Sequence, residues 1–358
     1  MVSFLSPTSP DFIVRLLRGS ALAERLSSLR EFALRGDVAA PSSDPTWLPI
    51  LRDGLGHVPF ALEATRNGKT IGWLPLAYLR STLFGRYLVS LPYLNTGGVD
   101  TDEQPVASAL IQRAVELGSQ LRVKHLELRH ETTIEHPQLS RTNSSKVHMR
   151  LALPSFPGPL WEQFPAKVRN QVRKGERSGL QIEWGSTERL DDFYTVFARN
   201  MRDLGTPVYS NRLFAAVLDH FGPAAEICVV RKENLPIAAA LLIHGKGVTE
   251  VPSASSLREH NATCANMLMY WNLIDRAIQR GQTVFDFGRS TVDGNTYRFK
   301  KQWGAQPEPA TWQYHLRNGT AADLRPDNPR FQRLIRLWQK LPVSVTRWIG
   351  PRIVRGIP

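Results

Sequence analysis

The order of structural signals along this chain repeats after about 160 residues, a period too long for a solenoid repeat and suited to a duplicated domain. Residues 59–79, PFALEATRNGKTIGWLPLAYL, read as strand, Asn67-Gly68 turn and strand. Residues 225–244, AEICVVRKENLPIAAALLIH, read the same way and turn at Lys232 to Asn234. Each hairpin leads into a short strand that contains proline, Pro92 in LVSLPYL and Pro252 in VTEVPSA. A helix follows each, predicted over Pro105–Leu117 and Asn266–Arg280, with Gly118 and Gly281 as the stops. Both halves then close on a strand, VKHLELRH and TVFDFGRS. Helices also lead each half. In the second, Leu190, Phe193, Phe197, Met201 and Leu204 share a helical face before Gly205, and Phe214, Val217 and Phe221 share the next. In the first, Ala21–Leu34 and Trp47–Leu55 are the weaker counterparts.

Two helices, an antiparallel meander, a helix and a returning strand resemble the Gcn5-related N-acetyltransferase (GNAT) fold. The expectation is a mixed α/β (α+β) chain of two tandem GNAT-like domains, each a mostly antiparallel twisted sheet flanked by helices. The first would span residues 1–150 and the second, catalytic, residues 151–320; the polar stretch Glu131–Ser145 marks the boundary. Residues 321–358 would form a basic amphipathic C-terminal helical extension. There Phe331, Leu334, Ile335, Trp338 and Leu341 make an apolar stripe, with Arg330, Arg333, Arg336 and Lys340 around it. Such a helix suits either the headgroup region of an anionic membrane or a core position across the two domains.

The chain of 358 residues carries a net charge of +13, which favours anionic partners without choosing among them. Cys228 and Cys264 have neither disulfide nor metal-site spacing, so no metal is expected. The N-terminus lacks a secretory pattern and no apolar run is long enough for a bilayer. The expected location is the cytoplasm, including the inner face of the plasma membrane.

The densest group of chemical side chains lies in residues 283–304, TVFDFGRSTVDGNTYRFKKQWG. A strand there delivers Asp286, Arg289 and Ser290 to a Gly-containing turn, and Tyr297, Lys300 and Lys301 follow, read as a hairpin. Asp286 alternates with Phe285 and Phe287, and so faces away from them. It would either orient the substrate amine or pair with Arg289. In residues 165–177, PAKVRNQVRKGER, Phe164, Val168 and Val172 form a seam, while Arg169, Arg173 and Arg177 stack at i, i+4 beside it. Like charges so spaced destabilise a helix. Either acidic neighbours or a bound phosphate would offset the repulsion, and arginine suits phosphate. No Ser-His-Asp or Cys-His arrangement is visible.

The strings KVRNQVRKGERSGL, NMRDLGTPVYS, ANMLMYW, FDFGRS and YRFKKQWGAQP resemble the FemAB-like group of the GNAT superfamily, and more narrowly the FemAB-like proteins associated with exosortase/PEP-CTERM systems. The resemblance is strongest from Trp161 to Leu316. It implies transfer of an acyl or aminoacyl group to an amine on a cell-envelope or exopolysaccharide precursor. The acceptor would be a phosphorylated, nucleotide-linked or lipid-linked saccharide, and the donor acyl-CoA or aminoacyl-tRNA. Arg258–Thr263 lacks the glycines of an acetyl-CoA pyrophosphate loop, and no long helical hairpin of some tRNA-using members is present, so both donors stay open. The resemblance marks Lys300 as important, and Lys300 with Asp286 form the expected catalytic pair. Arg289, Ser290, Ser253, Ser255, Tyr297, Arg169 and Arg173 are the expected substrate-binding residues. The competing functions are a non-catalytic saccharide-binding module and a tRNA-dependent transferase of peptidoglycan-bridge type.

Overall fold

The computed structural model describes residues 11–82, 84–317 and 329–357. The first half runs β1 (Ile13–Leu17), α1 (Gly19–Ala33), α2 (Trp47–Leu55), β2 (Val58–Arg66), β3 (Lys69–Ser81), β4 (Gly85–Val89), α3 (Gln104–Gln120) and β5 (His125–His130). After it come β6 (Arg141–Ala152), α4 (Pro157–Gln163) and α5 (Ala166–Arg177). The second half repeats the first: β7 (Leu180–Gly185), α6 (Leu190–Leu204), α7 (Asn211–Phe221), β8 (Ala225–Lys232), β9 (Leu235–His244), β10 (Val248–Ser256), α8 (Ala265–Gln279) and β11 (Val284–Thr291). The chain closes with α9 (Asn295–Lys301), β12 (Gln306–Leu316), α10 (Pro329–Gln339) and α11 (Val343–Val354).

All the described strands join one twelve-stranded sheet in the order β1-β2-β3-β4-β5-β12-β6-β11-β10-β9-β8-β7. Each half contributes one parallel pair, β4 with β5 and β10 with β11, which the helical crossovers α3 and α8 make possible. The centre is an exchange. β6, which follows the first half, pairs with β11 of the second, and β12, which follows the second, pairs with β5 of the first. β6 and β12 then pair antiparallel with each other. Neither half completes its sheet without a strand that belongs, by sequence, to the other.

One face of the sheet is covered by a continuous core drawn from both halves, with Leu29, Leu48 and Leu51 beside Phe193, Phe197 and Phe214. The opposite face carries two separate cores, one under α3 and one under α4, α5, α8 and α9. Gly54 allows the crossing of α2 on α7, since a Cβ there would stand 2.7 Å from the Leu213 Cα.

Several local expectations are corrected. α3 passes through Gly118 and ends at Gln120, capped by Leu121; Gly118 is a close-approach residue against Val123 instead, and the chain turns at Arg122, φ +53°. The polar stretch read as a linker contains the start of β6, whose outer residues are exposed because they lie at the rim of the sheet. The Tyr297–Lys301 segment is a helix and not a hairpin, because Tyr297 and Lys300, three apart, are buried together. Leu204 lies outside the α6 core, 49% exposed. Phe331 lies outside the residues whose side chains are described. In the rest of the C-terminal stripe, Leu334 turns outward while Ile335, Trp338 and Leu341 are partly buried. The cause is that α10 packs on α6 through Ile335, which sits over Gly205.

Replacing Gly54 with valine drives a branched side chain into the α7 main chain. The expected loss is about 1–3 kcal/mol, read as a lower Tm in a thermal melt; an unchanged Tm would mean that this crossing does not hold the halves together.

Candidate active site

The site arises where two neighbouring strands separate. β10 and β11 pair only from Val248 and Val284 to Glu250 and Asp286. Just past that point each strand has a one-residue bulge. On β10, Glu250 faces Ile243 but Ser253 faces Leu241. On β11, Asp286 faces Arg150 but Arg289 faces His148. Pro252 suits the first bulge because it has no N–H to pair, and Gly288 suits the second with φ +76°. An extra residue restores to one face two side chains that plain alternation would place on opposite faces. Asp286 and Arg289 therefore point the same way, together with His148, Arg150, Glu250 and Ser253. The shared face is that of the continuous core, since Glu250 is paired with the core residue Ile243.

Of these residues, His148, Glu250 and Asp286 line a cavity of about 60 Å³, together with Ser42, Tyr93–Thr96 and Gly288. Ser42 donates to Glu250 Oε1 (2.5 Å), and Thr96 donates to the Ser42 hydroxyl (2.8 Å). Asp286 accepts from the Gly288 N–H (2.6 Å) and from Arg150 Nε (3.0 Å). Arg150 also pairs with Glu131 and with Glu308 (2.6 Å). Desolvation, then the negative charge of Asp286, push the Glu250 carboxyl up to about 8, against the hydrogen bond from Ser42 and the charge of Arg150. His148 is 1% exposed, and its Nδ1 lies 4.0 Å from Asp286. Neither ring nitrogen has a hydrogen-bond partner among the described residues. Burial lowers its pKa, so the ring is neutral near pH 7.

The expected residues are distributed unevenly around this cavity. Asp286 lines it. Lys300 does not: from α9 its ammonium donates to the Gly288 and Arg289 carbonyls (2.9 and 3.1 Å), so it clamps the β11 bulge. Desolvation, opposed by Asp286, lowers its pKa to about 8. Arg289 is half-buried with its guanidinium 3.3 Å from the Trp312 ring centre, and among the described residues no carboxylate pairs with it. Burial and the charge of Arg129, itself stacked on Trp312, lower its pKa to about 10. Ser290 faces the other way, opposite Val147, buried and without a hydroxyl partner among the described residues. Ser253 and Ser255 share the Glu250 face; Ser255 accepts from Asn200 (3.1 Å). Tyr297 is packed in the core under α8.

Arg169 and Arg173 lie apart, on α5. Val168, Val172 and Gly175 bury one face of that helix; a Cβ on Gly175 would stand 2.7 Å from Leu268 Cβ, so α5 lies close against α8. Lys167, Arg173, Lys174 and Arg177 are exposed and Arg169 is half-buried, and none of them forms an ion pair among the described residues. Arg173 sits 5.7 Å from the Trp161 ring centre. Beside them a cavity of about 170 Å³ is lined by Gln171, Ser256, His260, Asn261 and Asn266, at the start of α8. A third cavity, of about 260 Å³, shares Ser42 and Thr96 with the first and extends into the first half past Arg129, His130 and Trp73.

Glu250, Ser42, His148 and Arg150 were not expected from the sequence. Glu250 had a signal, a lone carboxylate two residues before a proline in an otherwise apolar or small-residue strand. Ser42 had none, being 208 residues distant in the chain. Among the described residues no His, Cys, Asp and Glu group is arranged to hold a metal ion.

Residues 163–301 match the family described as acetyltransferase (GNAT) domain. No curated protein matches the chain by sequence. Among solved structures, the chain is similar to FemX, with 14% identity, 91% of this chain and 100% of that chain covered, and a TM-score of 0.63. It is also similar to a tandem GNAT protein from the clavulanic acid biosynthesis pathway, solved without AcCoA (12% identity, 86% and 100% covered, TM-score 0.56). A third similar structure is the C-terminal domain of a putative lysylphosphatidylglycerol synthetase from Agrobacterium fabrum (14% identity, 84% and 94% covered, TM-score 0.54). At these identities the likeness is one of fold. The chain has a mixed α/β, tandem GNAT-like architecture, a large sheet flanked by helices.

The Glu250 carboxyl, raised from its ordinary 4.5, stabilises the fold while protonated; that contribution is complete below about 4.5 and is lost as pH rises through about 8. Glu250→Gln is expected to flatten the fall in Tm across this window and to melt above the wild type at its upper end. Parallel curves would place the Glu250 charge in solvent. Lys300→Met leaves the bulge carbonyls without their donor and is expected to cost about 1–3 kcal/mol in a denaturant titration.

Proposed function

We propose that this chain is a FemAB-type N-acyltransferase that moves an acyl or aminoacyl group onto an amine of a cell-envelope or exopolysaccharide precursor. The observation that carries the reading is the parting of β10 and β11 beside a carboxyl poised near neutral pH. Past Glu250 and Asp286 the facing main-chain edges no longer pair, and they offer donors to a developing oxyanion. The acceptor amine attacks the acyl carbonyl and forms the new C–N bond, and its proton goes to the Glu250 carboxylate. The C–S bond of an acyl-CoA, or the C–O bond of an aminoacyl ester, breaks, and the leaving thiolate or alkoxide takes the proton that the Glu250 carboxyl accepted from the amine, which returns Glu250 to its carboxylate form. Burial first, and then the negative charge of Asp286, itself fixed by Arg150 and the Gly288 N–H, keep Glu250 basic. Lys300 holds the bulge that puts Asp286 and Arg289 on this face. Lys300 is thus a positioning residue in this reading.

The donor's phosphates would lie against α5 and the start of α8, where Arg169 and Arg173 have no carboxylate partner among the described residues. The acceptor would enter through the larger cavity of the first half, and Arg289 on its tryptophan platform would take a phosphate or carboxylate of the saccharide. The sequence resemblance to FemAB-like proteins of exosortase systems supports the saccharide class. A tRNA donor is the second reading, favoured by the unpaired basic stripe of α5, which suits a polyanion as well as it suits CoA.

Mass spectrometry of cell-envelope saccharides from cells with and without the protein tests the function: a modification lost on deletion names donor group and acceptor, and identical spectra overturn the reading. With the donor known, kcat is expected to rise with pH to a plateau above about 8, and Glu250→Gln to lower it by about 10²–10⁴-fold. Arg169→Gln with Arg173→Gln should raise the donor KM and leave kcat nearly unchanged; equal effects on both would remove α5 from donor binding.

A further inference from the structure

The C-terminal helices are docked by one side and bare on the other. α10 lies on α6, where Ile335 covers Gly205 and Gln339 donates to the Asp203 carbonyl (3.0 Å). Arg202 holds the turn between the helices by donating to the Leu341 carbonyl (3.0 Å). α11 then crosses both halves: Gly350 meets Val208 of the second, and Gly356, just beyond the helix, meets Ser81 and Phe84 of the first. These contacts leave Leu334, Leu337 and Trp348 in solvent, 60%, 62% and 65% exposed, with Val345 and Ile357 also exposed. Leu334 and Leu337, like Val345 and Trp348, are three apart, so each helix offers an apolar pair on one side.

The charge around these residues has one sign. From Asn328 to Pro358 every charged side chain is basic. Arg336, Lys340, Arg347, Arg352 and Arg355 are exposed, and none forms an ion pair among the described residues. Arg352 instead lies 4.7 Å from the Trp348 ring centre. Exposed leucines and a tryptophan, set among exposed arginines that form no ion pair among the described residues, match an anionic lipid surface on both counts, apolar side chains for the acyl boundary and cations for the headgroups. No helix among the described residues is long and apolar enough to cross a membrane, so the contact is peripheral. We propose that the outer side of α10 and α11 docks on anionic bilayers, through Leu334, Leu337 and Trp348 inserted among headgroups that the surrounding arginines attract.

The test is cosedimentation of the full chain with vesicles of phosphatidylcholine containing phosphatidylglycerol, and with phosphatidylcholine alone. The wild type is expected to sediment with the anionic vesicles at low salt, weakly with the neutral ones, and less as salt rises. Leu334→Ser, Leu337→Ser and Trp348→Ser together should lower partitioning by about tenfold or more with an unchanged circular dichroism melt, because these side chains support no core. Wild type that stays in the supernatant with anionic vesicles overturns the proposal. So does a triple variant that binds like wild type, which would reduce the contact to charge alone. A concentration-dependent dimer that the triple variant abolishes, without vesicle binding, would assign the face to a second copy of the chain. None of these readouts involves acyl transfer, so they stand or fall apart from the enzymatic reading.

Discussion

The exchange of β6 and β12 at the middle of the sheet is the constraint on which the rest of the structure depends. A duplicated chain has two obvious ways to fold: two closed copies on a linker, or one joined body. Here the strand after each copy pairs with the other copy, and the two exchanged strands pair with each other. The sheet therefore has no internal edge that needs capping, and the core on one face runs without interruption from α1 and α2 to α6 and α7. Ser42 from the first half reaches Glu250 of the second only because of this closure.

The exchange also sets the electrostatics of the candidate site. Through β6, His148 and Arg150 are laid beside β11, and through β12, Glu308 is laid beside them. Arg150 at the centre, in contact with Asp286, Glu131 and Glu308, offsets the cost of gathering several carboxylates in a half-buried place. Glu250 is left desolvated beside the negative charge of Asp286; burial first and that charge second hold its proton more tightly than water does, against its one serine donor. Arg289 occupies the complementary situation, a cation held by an aromatic face with no ion pair among the described residues.

Much of the fold was legible in the sequence because it is encoded by short-range chemistry. The Asn67-Gly68 turn has both residues at positive φ, and Glu233 turns the second hairpin in the same region. The apolar periods of α6 and α7 mark faces that are mostly buried, and the Phe164, Val168 and Val172 seam is buried as a unit. What failed did so for local reasons of another kind. Gly118 signals a helix stop by type, yet close packing requires the same residue in a helix interior. The FKK segment resembles a strand by its aromatic content, yet its burial pattern is three residues apart. In the candidate site, Asp286 was readable as facing away from Phe285 and Phe287, but its partner is Arg150 and not Arg289; that Asp286 and Arg289 share a face was not readable, since alternation assigns them opposite faces and a bulge overrides it.

The sequence by itself determined the duplicated order of strands and helices, the turns, the basic helix α5 and the one-signed charge of the C-terminal extension. All of these follow from residue type and spacing along a short stretch of chain. The tertiary structure alone decided that the copies exchange strands, that bulges turn Asp286, Arg289, Glu250 and Ser253 to one side, and that Lys300 clamps a main-chain bulge outside the cavity. Those outcomes rest on pairing between residues far apart in sequence, where a shift of a single residue in register moves a side chain from one face of the sheet to the other.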